Sequence, residues 1–220
     1  AMKKLLGDDS AAEWTQFIEF HQKKFEFDAG EMIILQGEPF NGIYAIVEGK
    51  VKVVINDQDG DRLVRLAANE DIIGHRGLGG DHRYPISAIA LIPTTVNFIS
   101  AEVFQVIAKT NPSFVYNLMM FLAEELRASE ENQLMMPVLN RVARTLMMNY
   151  RSFGFDENSN RLSFPISRKD IATHASTTYE SVIRTLADLA KRKVIALEGK
   201  AIAILDVERL KVLATDPAEA

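Results

Sequence analysis

The pattern of apolar and polar residues changes twice along this 220-residue chain. Residues 10–13 (Ser-Ala-Ala-Glu) form a capping box, and the apolar spacing after it predicts an amphipathic helix to about Lys24. From Phe25 to Ile99 the period shortens to that of strands, with six to eight short β-branched runs separated by turns such as FDAGE and NDQDGD. Because no helical crossovers lie between these runs, they predict an antiparallel β-sandwich or jelly roll.

Helical spacing returns at Ser100 and leads into one long helix. The run SAEVFQVIAK predicts a helix that Asn111-Pro112 ends, and about 24 residues without glycine or proline follow, up to Pro137. The first half of this long helix is apolar on more than one side, at Leu118, Phe121, Leu122, Ala123, Leu126 and Ala128. One small sandwich cannot bury all of that surface, so we expect the helix to pair with its own copy in a homodimer. A core helix of a helical domain is the alternative.

Residues 166–195 carry the pattern of a helix-turn-helix. A capping box at 167–170 predicts a short helix, AST forms a turn, and a second box at 177–180 predicts a helix to Lys193. The positions predicted to face inward are Ile171, Ala172, Ala175, Val182, Ile183, Leu186, Leu189 and Ala190. Two alternating strands around Glu198-Gly199-Lys200 predict a hairpin wing. A helix-turn-helix with a wing is a module that reads DNA.

This module predicts which side chains contact DNA. The exposed N-terminal face of the second helix would carry Thr178, Tyr179, Glu180, Ser181 and Arg184. Arginine bonds bidentately to guanine, and glutamate accepts from the N4 group of cytosine. The residues placed to meet phosphates are Arg168, Lys169, Thr177 and Lys200. Two simpler interpretations stay open: Glu180 only caps the helix, or Glu180 and Arg184, spaced i,i+4, only pair with each other.

Charge and composition restrict the function class. Residues 1–137 carry 12 Lys and Arg against 20 Asp and Glu, whereas residues 138–220 carry 13 against 10, so the second half is the part that suits a polyanion. Cysteine is absent, which excludes disulfides, thiol nucleophiles and cysteine-held metal clusters. No catalytic motif argues for an enzyme. No apolar run is long enough to span a membrane and no signal-peptide pattern opens the chain, so we expect a cytoplasmic protein.

Taken together, these features resemble the bacterial cyclic-AMP receptor protein/Fnr (Crp/Fnr) superfamily of transcription regulators. The resemblance covers about residues 12–205 and rests on ILQGEPFNGIYAIVEGKVKV with Gly37 and Gly49, on EDIIG, and on ISRKDIA followed by TTYESVIRTLADLAKRKVI. It implies an α+β fold in three parts. These are a cyclic-nucleotide-binding-like β-sandwich sensor domain (1–110), a dimerisation helix (111–137) and a winged helix-turn-helix DNA-binding domain (138–220).

The resemblance also implies the partners. It implies a homodimer on near-palindromic double-stranded DNA, with RNA polymerase as a further partner and no membrane. Glu180 and Arg184 fall on two base-contacting positions of the family, whereas Tyr179 replaces a third, basic contact of the cyclic-AMP receptor itself. Two rival functions stay open: a small-molecule sensor that acts through protein partners, and a jelly-roll metalloenzyme.

The stretch DIIGHRGLGGDHRYPISAIA raises the question of an effector. In family members that bind cyclic AMP, this cassette reads Gly-Glu-Leu and later Arg-Ser-Ala or Arg-Thr-Ala, where Glu binds the ribose and Arg binds the phosphate. Here His75 stands at the Glu position and Ile86 at the Arg position, and the adenine-contacting pair falls at Ser129 and Glu130. Ile86 offers nothing to an anion, so we do not expect ordinary cyclic-AMP recognition.

Two alternatives for this stretch stay open. A different anionic or nucleotide effector would be bound by Gly74, His75, Arg76, Arg83, Ser87 and Ser129. Alternatively no small ligand binds, and His75, Arg76 and His82 face solvent or another domain. We expect no metal, because His75 and His82 match no metal-ligand spacing and the iron–sulfur clusters of Fnr relatives require cysteines.

Overall fold

The protein is described by a computed structural model over residues 6, 11–58, 60–130 and 136–216, without the side chains of residues 11 and 128–130. The chain divides into two compact units, Ala1–Asn56 with Ala67–Glu131 and Asp57–Leu66 with Asn132–Ala220. The domain boundaries predicted at residues 110 and 137 remain predictions. Within the described ranges, no helix is both long and apolar enough to cross a membrane.

The first unit is built on a β-sandwich, which confirms the predicted jelly-roll class. The strands form two four-stranded sheets with the orders β1-β8-β3-β6 and β2-β7-β4-β5, and residues 60–66 of β5 belong to the second unit. Strand β8 pairs antiparallel with β1 and β3, and β7 pairs antiparallel with β2 and β4. The eight strands are β1 (Lys23–Phe27), β2 (Met32–Ile34), β3 (Gly42–Glu48), β4 (Lys50–Asp57), β5 (Gly60–Ala68), β6 (Ile72–Ile73), β7 (Ser87–Ala90) and β8 (Thr94–Ser100).

The helices described beside the sandwich are α1 (Ala11–His21), α2 (Ala101–Thr110) and α3 (Pro112–Glu130). Asn111 separates α2 from α3 and starts the latter, because its side-chain oxygen accepts a hydrogen bond from the Phe114 N–H at 2.9 Å. The helices pack on the sandwich through one apolar cluster of Ile18, Ile43, Ile72, Ile99, Phe104, Ile107, Phe114 and Leu118. The long helix predicted to reach Pro137 is observed to Glu130, and residues 131–135 lie outside the described part.

The second unit is mainly helical. Its elements are α4 (Val138–Phe153), α5 (Arg168–His174), α6 (Tyr179–Lys191), β9 (Ile195–Glu198), β10 (Ala201–Ile204) and α7 (Val207–Thr215). Buried Asn140 of α4 anchors α7, because its Nδ2 donates to the carbonyls of Leu213 and Asp216 at 2.8 Å each. The segment 161–166 (RLSFPI) forms only single bridges, Phe155 to Leu162 and Arg161 to Ala203. Proline in the segment lacks the N–H that a strand ladder requires.

Candidate nucleic-acid interface and effector site

The helix-turn-helix forms as the sequence predicted, with one change at its second cap. Ser167 begins α5, and its hydroxyl accepts from the Asp170 N–H at 3.0 Å and donates to the Asp170 carboxylate at 2.7 Å. Thr178 rather than Thr177 caps α6, accepting from the Ser181 N–H at 3.2 Å. The two helices pack against each other, and the buried residues of this segment are Ile171, Ala172, Ala175, Val182, Leu186 and Leu189. These contacts fix α6 against α5.

The N-terminal face of α6 is exposed. Tyr179 keeps 53% of its surface accessible, and Glu180 and Arg184 are also exposed. The guanidinium of Arg184 donates to the Ser181 hydroxyl at 3.3 Å, and no ion pair joins Glu180 to Arg184 in this described helix. The helix cap is made by Thr178. Neither simpler interpretation of Glu180 is therefore realised: it neither serves as the cap nor pairs with Arg184.

One residue on this face, Ile183, is more exposed than its spacing in the sequence predicts. Ile183 was predicted to face inward, but it is 42% exposed. At 100° per residue, Ile183 lies 100° from Val182, outside the narrow stripe that Val182, Leu186 and Leu189 form. The signal that identifies it is its i,i+4 spacing from Tyr179, which places both side chains on the same edge of the helix. An exposed isoleucine here is suited to apolar contact with a thymine methyl group.

The wing is attached to the start of α5. Arg168 donates from its guanidinium to the carbonyls of Lys200 at 2.8 Å and Gly199 at 3.4 Å, and burial lowers the pKa of this arginine. An exposed ion pair between Arg161 and Glu198 also holds β9. Two of the five N–H groups of Arg168 therefore position the wing. The other phosphate candidates, Lys169 and Lys200, are exposed and Thr177 is half-buried.

A histidine lies at the end of α5, on the side facing α4. Nδ1 of His174 lies 2.8 Å from the hydroxyl of buried Thr145, and that hydroxyl itself donates to the Arg141 carbonyl at 2.9 Å. Because a hydroxyl has one hydrogen to donate, Thr145 accepts from the Nδ1–H of His174. Burial, followed by the charges of Arg144 and Arg62, lowers the pKa of His174 to about 4.

The predicted effector cassette brings two of its residues to the long helix. A 3₁₀ turn spans His75–Leu78, and His75 is only 4% exposed. Its Nε2 lies 2.9 Å from the Oε2 of Glu125 on α3, and the Arg76 guanidinium lies 3.6 Å from the same oxygen. The ring of His75 also meets the ring of Phe121 edge-on at 5.2 Å. His75 thus contacts two successive turns of α3.

The other predicted effector residues do not join this cluster. Arg83 donates to the Gly37 carbonyl at 2.6 Å. The buried Ser87 hydroxyl donates to Asn56 at 2.9 Å and accepts from the Gln36 N–H at 3.0 Å. Ser129 lies outside the residues whose side chains are described.

The backbone of the cassette is packed tightly on the sandwich. Gly74 has φ +87°, and a Cβ there would lie 3.1 Å from Ile34 and 3.2 Å from Tyr84. Tyr84 is buried, and its hydroxyl bonds Asn41 and the Gly42 carbonyl. Ile86 is also buried in the core. In the described ranges, no three His, Asp or Glu side chains are grouped for a metal ion.

The apolar side chains of α3 divide between two faces. Phe114 and Leu118 are buried, and Phe121 packs against the same core. On the outer face the exposed residues are Val115, Met119, Leu122 and Leu126, with Tyr116 and Met120 beside them. The first four follow one another at intervals of four, three and four residues, which is the heptad spacing of a coiled-coil seam.

Comparisons with known proteins match both regions. The cyclic nucleotide-binding domain family matches residues 24–111, and the Crp-like helix-turn-helix domain family matches residues 140–213. The transcriptional activator protein Anr of Pseudomonas protegens is 29% identical over 194 residues, covering 84% of this chain and 78% of its own length. A "CRP-like cAMP-activated global transcriptional regulator" of Mycobacterium tuberculosis is 28% identical over 190 residues, covering 84% of this chain and 85% of its own.

Solved structures agree with the observed architecture. FixK2 from Bradyrhizobium japonicum superposes with a TM-score of 0.76 at 24% identity, covering 89% of this chain and 98% of FixK2. The c-di-GMP-responsive regulator CLP from Xanthomonas campestris superposes with a TM-score of 0.74 at 17% identity, covering 88% of this chain and 98% of CLP. At these identities the likeness establishes the fold: a β-sandwich followed by a helix-turn-helix, in the same chain order.

Proposed function

We propose that this chain, which belongs to the Crp/Fnr superfamily of transcription regulators, binds DNA as a homodimer through its winged helix-turn-helix. The observation that carries the proposal is the division of α6 into a buried face and an exposed N-terminal face that bears Glu180 and Arg184. A recognition helix needs this division, because one side must hold it in the domain while the other enters the major groove.

Base reading is assigned to the exposed face of α6. Arg184 has the donor geometry for a guanine, and Glu180 accepts from a cytosine N4 group, each contributing about 1–3 kcal/mol of discrimination. Tyr179 and Ile183 add an apolar edge suited to thymine methyl groups. Because Tyr179 stands where the cyclic-AMP receptor has a basic contact, the operator should differ from that of the receptor.

Backbone contacts are assigned to the residues around α6. Lys169, Thr177 and Lys200 are proposed to meet phosphates, which fix the register of α6 but carry no sequence information. Arg168 is proposed to contribute mainly by holding the wing turn, since two of its N–H groups already bond the carbonyls of residues 199 and 200. Phosphate contacts release counterions, so the affinity should fall steeply as salt is raised.

The dimer is proposed to form along α3. The exposed stripe of Val115, Met119, Leu122 and Leu126 has the period that keeps a seam facing a second copy of the same helix. A two-fold dimer presents two recognition helices, and these read a near-palindromic site whose half-sites lie about 34 Å apart. Transcriptional control also requires RNA polymerase as a partner. Because the proposed ligand is chromosomal DNA, the cytoplasm is the proposed place of action.

Cyclic AMP is not proposed as the effector in the family's usual binding mode. Ile86 stands at the phosphate-binding position and is buried in the sandwich core, and the Ser87 hydroxyl is engaged by two protein groups. Two relatives are named as responding to cyclic AMP and to c-di-GMP, and these names apply to those two proteins alone. Here His75 and Arg76 are engaged by a carboxylate of the protein itself.

The function is tested by selecting a binding sequence from a random DNA library and measuring its affinity by fluorescence anisotropy at two salt concentrations. We expect Arg184→Ala to weaken binding by about 5- to 150-fold and to relax the sequence preference at one position of each half-site. Arg209→Ala is the matched control, because it removes the same charge from an exposed site on α7. Equal affinities for the wild type and Arg184→Ala would reject this reading and favour a sensor that acts through proteins.

A further inference from the structure

Glu125 and His75 form a largely enclosed contact in the sandwich unit. They are 50 residues apart in the chain, and their side chains are 14% and 3% exposed. The carboxylate oxygen accepts from Nε2 of His75, and the Arg76 guanidinium supports the same oxygen from 3.6 Å. Nδ1 of His75 is buried and makes no hydrogen bond to any described residue. Among the described residues, Glu125 is therefore the one hydrogen-bond partner of this imidazole.

The cluster has the charge arrangement of an anion site whose anion belongs to the protein. An anionic ligand is recognised by a cationic or N–H-donating group held on a turn, and here the 3₁₀ turn supplies both His75 and Arg76. Glu125 already occupies these donors. A phosphate entering beside it would meet a carboxylate with little water between them, and such a like-charge contact is unfavourable.

We propose that Glu125 is a built-in anion that takes the place of an anionic effector and holds the 3₁₀ turn against α3 without a ligand. The contact between His75 and Glu125 joins the 3₁₀ turn to α3, the helix that carries the exposed heptad stripe. The contact therefore helps to hold α3, and with it the stripe, in place on the sandwich. At a site for an anionic ligand the ligand brings the negative group, whereas here the protein provides it and the cassette provides the donors. The structural part of this inference stands alone, whereas its effect on DNA binding rests on the proposed function.

Chemical rescue tests the proposal directly. Glu125→Ala deletes the four heavy atoms that acetate contains, and the remaining cluster keeps an opening because the Arg76 side chain is 34% exposed. We expect this variant to melt about 5–10 °C below the wild type, since His75 loses its partner. Acetate at about 100 mM should restore at least half of that loss relative to chloride at the same ionic strength.

Glu124→Ala is the matched control, since Glu124 is the preceding residue of α3 and is exposed. It should melt within about 1–2 °C of the wild type and show no preference for acetate over chloride. The proposal is overturned if Glu125→Ala melts like this control, or if acetate and chloride act equally on it. Should Glu125→Ala fail to fold, Glu125→Gln keeps the shape and a weaker hydrogen bond. Calorimetry should then show that this variant, unlike the wild type, binds pyrophosphate saturably. If neither protein binds pyrophosphate, the proposal is contradicted.

DNA binding separates the two proposals. On the selected operator, we expect Glu125→Ala to bind at least 5-fold more weakly than the wild type in chloride and to recover in acetate. An unchanged DNA affinity together with rescued melting would reject the link between the cluster and DNA binding while confirming the internal anion. If the wild type selects no DNA sequence, the proposed function fails, and the melting result still decides whether Glu125 acts as an anion.

Discussion

Protonation of His174 should destabilise the DNA-binding unit in mild acid. This histidine ends α5, donates from Nδ1 to the Thr145 hydroxyl at 2.8 Å, and lies near the charges of Arg144 and Arg62. Its environment therefore disfavours a second proton on the ring. Burial is the largest cause of the low pKa of about 4, and the two arginines act in the same direction.

The sign and size of the effect follow from the two pKa values of His174. The ordinary pKa of about 6.5 holds in the unfolded chain, so below that value the unfolded state binds a proton that the folded state does not. His174 therefore has no effect on the free energy of unfolding above about pH 7, and it lowers that free energy between pH 6.5 and pH 4. One pKa unit corresponds to about 1.4 kcal/mol, so the complete loss is about 3 kcal/mol, of which about 2 kcal/mol is reached at pH 5.

Urea unfolding followed by circular dichroism at pH 7.5 and pH 5.0 measures this difference. His174→Gln keeps an N–H donor for Thr145 but cannot take up a proton, so it should lose about 2 kcal/mol less than the wild type between these pH values. His82→Gln makes the same chemical change at an exposed turn and should retain the wild-type loss. The reasoning is refuted if His174→Gln and the wild type lose the same free energy, or if the ring signal of His174 titrates near pH 6.5.

Two further predictions concern α3 and the 3₁₀ turn. Leu126→Glu places like charges in the seam and removes apolar contact, so the dimer should dissociate about 100-fold or more readily, as measured by sedimentation. The control Glu124→Gln lies just off the stripe and should leave the dimerisation constant unchanged. Gly77→Ala puts a Cβ 2.6 Å from the ring of Phe40 and should lower the free energy of unfolding by about 1–3 kcal/mol. A Cβ at Gly79 would have no atom within 4 Å, so Gly79→Ala should change the free energy of unfolding by less than about 0.5 kcal/mol. Equal dimerisation constants, or equal melting of the two glycine variants, would contradict these expectations.

Local chemistry explains what the sequence predicted well. The cap at Ser167 is made within four residues, and the strands follow from alternation between turns, so both could be predicted without knowledge of the rest of the fold. The wing hairpin was predicted for the same reason, because Gly199 has φ +60° in the tight turn between β9 and β10. Such features depend on neighbouring residues alone.

Features that depend on packing were missed. The exposure of Ile183 depends on how far the neighbouring helices reach around α6, which periodicity alone does not define. The pairing of His75 with Glu125 spans 50 residues and brings a loop residue to a helix, and no spacing rule connects them. In the sequence, His75 stands at the position that the resemblance assigns to the ribose-binding Glu. What it could not provide was the partner that occupies this position.

The two stripes of α3 connect these observations. The inner stripe, at residues 114, 118, 121 and 125, has the same four-three-four spacing as the outer stripe at 115, 119, 122 and 126, and it lies one residue before it throughout. Because both stripes belong to one helix, a rotation of α3 about its own axis changes the core contacts and the seam together. Glu125 is the last member of the inner stripe and contacts the 3₁₀ turn, so removing it takes away one contact at the end of α3 that carries Leu126. Loss of the Glu125 carboxylate should therefore weaken dimerisation as well as lower the melting temperature, although Glu125 itself lies outside the exposed seam.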